Sequence, residues 1–98
     1  MNQEFHVRLA IAKSRFVDGA QGFLCLHLDL PFPPYNDLDI RLHDGNWGES
    51  EEGWWSHVQI ETTVWNCEAN QFECRVHIQF ADGADRLKFL QEKGWEAL

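Results

Sequence analysis

The sequence is poor in the features that would commit it to a recognised chemistry. Its three cysteines, Cys25, Cys67 and Cys74, are too few to pair completely within one chain, and no two stand as Cys-x-x-Cys. A closed disulfide framework is therefore excluded, and a reducing cytoplasm is the expected compartment. No apolar run approaches the ~20 residues that cross a bilayer. The start, Met1-Asn2-Gln3-Glu4, lacks the basic segment and apolar stretch of a secretory leader. Internal repeats and low-complexity tracts are also missing.

Positive charge is the scarcest commodity. Lys and Arg number 8 against 16 Asp and Glu in 98 residues, for a net charge of −8. Phosphate backbones are held by Lys and Arg displacing counterions, so direct binding to nucleic acid is not expected. The same field repels anionic lipid surfaces. Gly45-Asn46-Trp47-Gly48 carries neither the lysine of a P-loop nor the glycine spacing of a dinucleotide fingerprint. No cofactor is expected, and the glycines read as turn formers.

What the chain does have is apolar content of 44%, with 13% aromatic, enough for a packed core. Its length suits a single domain spanning residues 1–98. The strongest pattern is alternation with period two, the mark of a strand with one buried face. Phe5, Val7, Leu9 and Ile11 alternate with His6, Arg8 and Ala10. Leu24, Leu26, Leu28 and Leu30 alternate with Cys25, His27 and Asp29. Leu38, Ile40 and Leu42 follow, then a run from Trp54 to Trp65 burying Val58, Ile60 and Val64, then Phe72, Cys74, Val76, Ile78 and Phe80.

Turn chemistry constrains which positions face one another. A two-residue turn at Asp18-Gly19 pairs odd positions with even ones, as the first two apolar sets require, and predicts Arg8 opposite Asp29. A three-residue loop, Cys67-Glu68-Ala69, joins two even sets and predicts Glu61 opposite Arg75. Leu30-Pro31-Phe32-Pro33-Pro34 ends the second strand, because proline cannot donate to a ladder. After Phe80, Asp82 is an expected N-cap, Ala84, Leu87 and Leu90 recur at helical spacing, and Gly94 supplies the stop. Trp95 and Leu98 then pin the chain end to the core. The expected fold is α+β: a five-stranded, mainly antiparallel sheet with one C-terminal helix on its apolar face.

Parity turns all five histidines, His6, His27, His43, His57 and His77, to the outward face. Imidazoles with Asp29, Glu61 and Glu73 are the donors a metal site would use, but no local His-x-His pair selects one, and no metal is expected. Cys25 and His27 lie two apart on one face, the one arrangement suited to an activated thiolate. A flat acidic sheet gives it no oxyanion hole.

The tryptophans point elsewhere. Five in 98 residues is high, and parity places Trp55 and Trp65 on the face opposite the aliphatic one. Exposed large aromatics anchor protein interfaces. Trp47 lies within the acidic segment 44–53 beside Glu49, Glu51 and Glu52, whose charge steers basic partners. The expected function is a small, acidic, non-enzymatic interaction domain, such as an inhibitor or immunity-type protein for a basic partner. Its binding residues are Trp47, Trp55, Trp65, Glu49, Glu51 and Glu52. The alternatives are a structural subunit or homodimer, and a metal- or thiol-dependent enzyme using the outward His and Cys residues.

Overall fold

The computed structural model describes residues 4–43, 54–78 and 83–97, with only the backbone described for residues 42, 43 and 54–57. Five long strands follow the alternating segments: β1 (Phe5–Ala12), β2 (Phe23–Leu30), β3 (Asp39–His43), β4 (Trp54–Asn66) and β5 (Gln71–Ile78). A helix, α1 (Ala84–Glu92), comes next. A two-residue strand, β6 (Glu96–Ala97), closes the chain.

The α+β class holds, but among the described residues the sheet has six strands, in the order β3-β4-β5-β1-β2-β6. It is mixed, because β1 runs antiparallel to β2 and parallel to β5. Each hairpin, β1–β2 and β4–β5, buries one face. Joining them through β1 and β5 merges the two faces into one core without an edge between them. That core contains Val7, Leu9 and Ile11 of β1, Leu24 of β2, Val58 and Ile60 of β4, and Cys74, Val76 and Ile78 of β5.

Both predicted registers are corrected. In the first hairpin odd positions do pair with even ones, yet Arg8 stands opposite His27, and His6 opposite Asp29. The slip of two residues comes from the connection. Lys13–Arg15 form a turn of 3-10 helix, which lengthens the loop and drops Phe16 into the core.

In the second hairpin the loop holds four residues, Cys67 to Asn70, between the opposed Asn66 and Gln71. Asn70 takes the left-handed φ of 54°, and Asn66 Oδ1 accepts the Glu68 and Ala69 N–H groups at 3.0 and 3.1 Å. An even loop would set apolar residues against polar ones along the whole ladder. A register shift between Ile60 and Thr62 repairs this by inserting Glu61 as a β-bulge. Thr62, not Glu61, therefore faces Arg75.

The bulge exchanges the faces of everything beyond it. Val64, expected in the core, is 59% exposed and stands opposite Glu73 of the outer face. Trp65, expected on the outer face, lies opposite Phe72 on the aliphatic side.

The tail matches the pattern more closely. Leu90 is fully buried and shares the core with Trp95, while Leu87 and Phe89 pack against it; Ala84 stays exposed. Asp82 and Leu98 lie outside the described residues. The N-cap is Gly83, with no side-chain cap, and its N–H donates to Phe16 O at 2.8 Å. At the other end Gly94 adopts φ 108°. Its N–H donates to Gln91 O at 3.3 Å, and the Trp95 N–H to Leu90 O at 3.1 Å. These are the two bonds of a Schellman stop, with the hydrophobic pair Leu90 and Trp95 that accompanies it.

Candidate functional site

A nine-residue helix is about 14 Å long, whereas an eight-residue strand spans about 26 Å. One such helix covers part of the sheet and leaves the rest. Burial follows this geometry along each strand. In β1, Val7, Leu9 and Ile11 are buried and Phe5 is half-buried; in β5, Cys74, Val76 and Ile78 are buried and Phe72 is half-buried. In β2 only Leu24 of the leucines is buried, with Leu26, Leu28 and Leu30 half-exposed; in β4 the gradient ends at Trp65, 46% exposed.

The strand ends left uncovered share one end of the apolar face and carry a row of rings. Trp65 meets Phe72 edge-on, with centroids 4.8 Å apart and planes at 65°. Phe72 meets Phe5 at 6.2 Å and 58°. This row is the strongest candidate site in the described residues. Phe5 and Phe72 read as ordinary core positions in the sequence. The signal that would have singled them out is the short helical period between Ala84 and Gly94, too short to cover an eight-residue strand.

Of the other expected site residues the structure describes no side chain. Trp47, Glu49, Glu51 and Glu52 lie outside the described residues. Trp55 falls within β4, but its side chain is also outside them. Two further exposed rings, Phe32 and Tyr35, stand 6.3 Å apart between β2 and β3.

On the opposite, outer face the charges satisfy each other. Arg8 Nη2 donates to Glu73 Oε1 at 2.6 Å across the parallel β1–β5 pairing, and Asn66 Nδ2 donates to the same oxygen at 3.1 Å. Arg15 lies 3.6 Å from Glu61. The Arg75 guanidinium stacks 4.1 Å from the Phe23 ring centroid. Two shallow hollows of about 280 and 230 Å³ share Ala10, Thr62 and Arg75.

Of the histidines, His6 and His27 line one shallow hollow together with Asp29. His6 Nδ1 pairs with Asp29 Oδ1 at 2.5 Å, and His27 stands opposite Arg8. His43 and His57 lie on β3 and β4 with side chains outside the described residues. Among the described residues, no group of three His, Cys, Asp or Glu side chains gathers as metal ligands would.

Cys25 is buried, and burial pushes its thiol up, with Glu96 adding to the rise and Arg8 opposing it. An activated nucleophile needs the reverse shift, so the Cys25–His27 pair lacks the property that made it a catalytic candidate. Burial likewise raises the Cys74 thiol, partly offset by its hydrogen bond to Thr63 Oγ1.

No family model, curated protein or solved structure matches this chain.

Proposed function

We propose that this chain is a non-enzymatic interaction domain that binds a basic protein partner through the uncovered end of its apolar face. The observation that carries the reading is the ring row Trp65–Phe72–Phe5, which ends in a tryptophan 46% exposed. A soluble domain has little use for a large exposed indole stacked on further rings, and interface hot spots are built from such aromatics. The net charge of −8 supplies the partner's sign. Acidic surfaces accelerate encounter with basic proteins and repel acidic ones.

A concrete version is the inhibition of a protein that handles nucleic acid, whose binding cleft is basic for its own reasons. The proposed setting is the cytoplasm, in keeping with free Cys25, Cys67 and Cys74. Among the described residues no helix is long and apolar enough to cross a membrane.

The test is affinity capture from the native host with two baits, the wild-type chain and Trp65→Ala. The expected result is a basic protein recovered by the first and lost with the second. The association rate of that partner should fall steeply with added salt, and less steeply after Glu49, Glu51 and Glu52 are changed to Gln. Equal recovery by both baits, or an acidic partner, overturns the reading.

A further inference from the structure

We propose that the outer face carries a binding site for a small carboxylate, with Arg75 taking the charge and Phe23 and Val64 enclosing an apolar body the size of one ring.

The site begins with what β1 lacks. Ala10 stands beside Arg75 of β5, and Ala12 beside Phe23 of β2. Neither alanine has a side chain beyond Cβ, so Arg75 reaches across β1 and lays its guanidinium 4.1 Å from the Phe23 ring centroid. A guanidinium stacked on a ring keeps its N–H donors free at its edge. Among the described residues, none accepts a hydrogen bond from that edge or forms an ion pair with it.

Arg75 is the exception on this face. Arg8 is held by Glu73, which also accepts from Asn66, and Arg15 lies 3.6 Å from Glu61. Around the two hollows that share Arg75, three arginines against two glutamates leave one positive charge. A planar fork with one charge to give suits a monocarboxylate, which it meets through two parallel N–H···O bonds. A phosphate dianion needs more cations than remain.

The apolar wall is a product of the bulge at Glu61. By exchanging faces it sets Val64 opposite Glu73, 59% exposed. Val64, Phe23 and Arg75 border the hollow of about 230 Å³, together with Ala10 and Thr62. Sites for drug-sized ligands run from about 300 to 1,000 Å³, so this one takes a smaller body. An aromatic carboxylate matches both parts, its oxygens on the Arg75 fork and its ring between Phe23 and Val64. This site does not depend on the proposed function, because it lies on the face opposite the row Trp65–Phe72–Phe5.

The test is a nuclear magnetic resonance titration of the purified chain with sodium benzoate at constant ionic strength. The expected result is a saturable shift of the Arg75 Nε–H and Val64 methyl resonances, with a millimolar dissociation constant. Benzamide keeps the ring and loses the charge, so it should bind about tenfold more weakly. Inorganic phosphate should also bind more weakly than benzoate, for it has nothing to place against Val64.

Two variants separate the roles. Arg75 is exposed, so Arg75→Gln should fold as the wild type does and lose the saturable shift at Val64. Phe23→Leu keeps the charge of Arg75 and removes the ring beneath it, so affinity should fall about threefold or more. Shifts that stay linear in benzoate concentration overturn the inference. So does equal binding of benzamide or phosphate, or a variant of either kind that binds benzoate as the wild type does.

Discussion

Trp65 and Phe72 face one another across the β4–β5 ladder, edge to face at 4.8 Å, and they do so only because Glu61 bulges out of the strand before them. The inserted residue turns an indole toward the aliphatic side and sends Val64 to the other. The indole is left half in solvent, at the end of the sheet that the helix does not reach.

Replacing Trp65 by Ala should therefore cost little stability. An aromatic pair contributes about 0.5–1.5 kcal/mol beyond its area, so a loss of about 1–2 kcal/mol is expected. That corresponds to a melting temperature lower by about 5–15 °C in a domain of this size. Calorimetry or a circular-dichroism melt measures it. A loss above about 4 kcal/mol, the range of full core truncations, would make Trp65 a core residue and remove it from the candidate interface.

The ion pair of Arg8 and Glu73 crosses the parallel β1–β5 pairing, where the two hairpins meet, and both side chains are 28% exposed. Partial burial and a 2.6 Å contact put it above an open surface pair. A double-mutant cycle with Arg8→Ala and Glu73→Ala in urea should give a coupling of about 1 kcal/mol. A value indistinguishable from zero would mean that the β1–β5 backbone ladder and apolar burial hold the hairpins together without it.

Gly94 at φ 108° ends the helix, and a Cβ there would come no closer than 3.9 Å to Leu26 Cδ1. Steric room is adequate, so Gly94→Ala isolates the torsional cost. About 1–2 kcal/mol of destabilisation is expected from holding a side-chain-bearing residue in the left-handed region. An unchanged melting temperature would show that the Schellman stop is dispensable.

Burial holds the Cys25 and Cys74 thiols above their ordinary value of 9.0. The folded chain then keeps these protons more tightly than the unfolded one. The resulting stability is fully present below pH 9 and is lost as pH rises through the folded-state values. Urea midpoints should decline above pH 9, and less steeply in a Cys25→Ala/Cys74→Ala variant. In the native state a thiol reagent should label the exposed Cys67 first, with the other two following only on unfolding. Rapid labelling of Cys25 would contradict its burial.

Alternation revealed each long strand because a half-buried strand must repeat every two residues, and Gly94 and Trp95 revealed the helix stop because only glycine sits easily at positive φ. Neighbour relations were another matter. Nothing in Leu9 or Cys74 states that they lie side by side in parallel, and a two-residue strand such as Glu96–Ala97 is too short to show a period.

Both register errors have one cause. Turn residues alone imply shorter loops than the chain forms with a 3-10 turn after Ala12 and a left-handed Asn70. The bulge then reversed parity within a single strand. Trp65 is conspicuous in the sequence as an aromatic, yet parity assigns it the face opposite to the one it occupies, and its ring partners Phe5 and Phe72 read as interior.

The parallel seam between β1 and β5 also orders events in time. Arg8 and Glu73 are separated by 65 positions, so the first strand emerging from a ribosome has its hairpin mate soon afterwards but waits for most of the chain before its second flank is filled. Until then the β1–β2 hairpin presents an open central edge. Nascent-chain proteolysis should accordingly show protection arriving late and all at once.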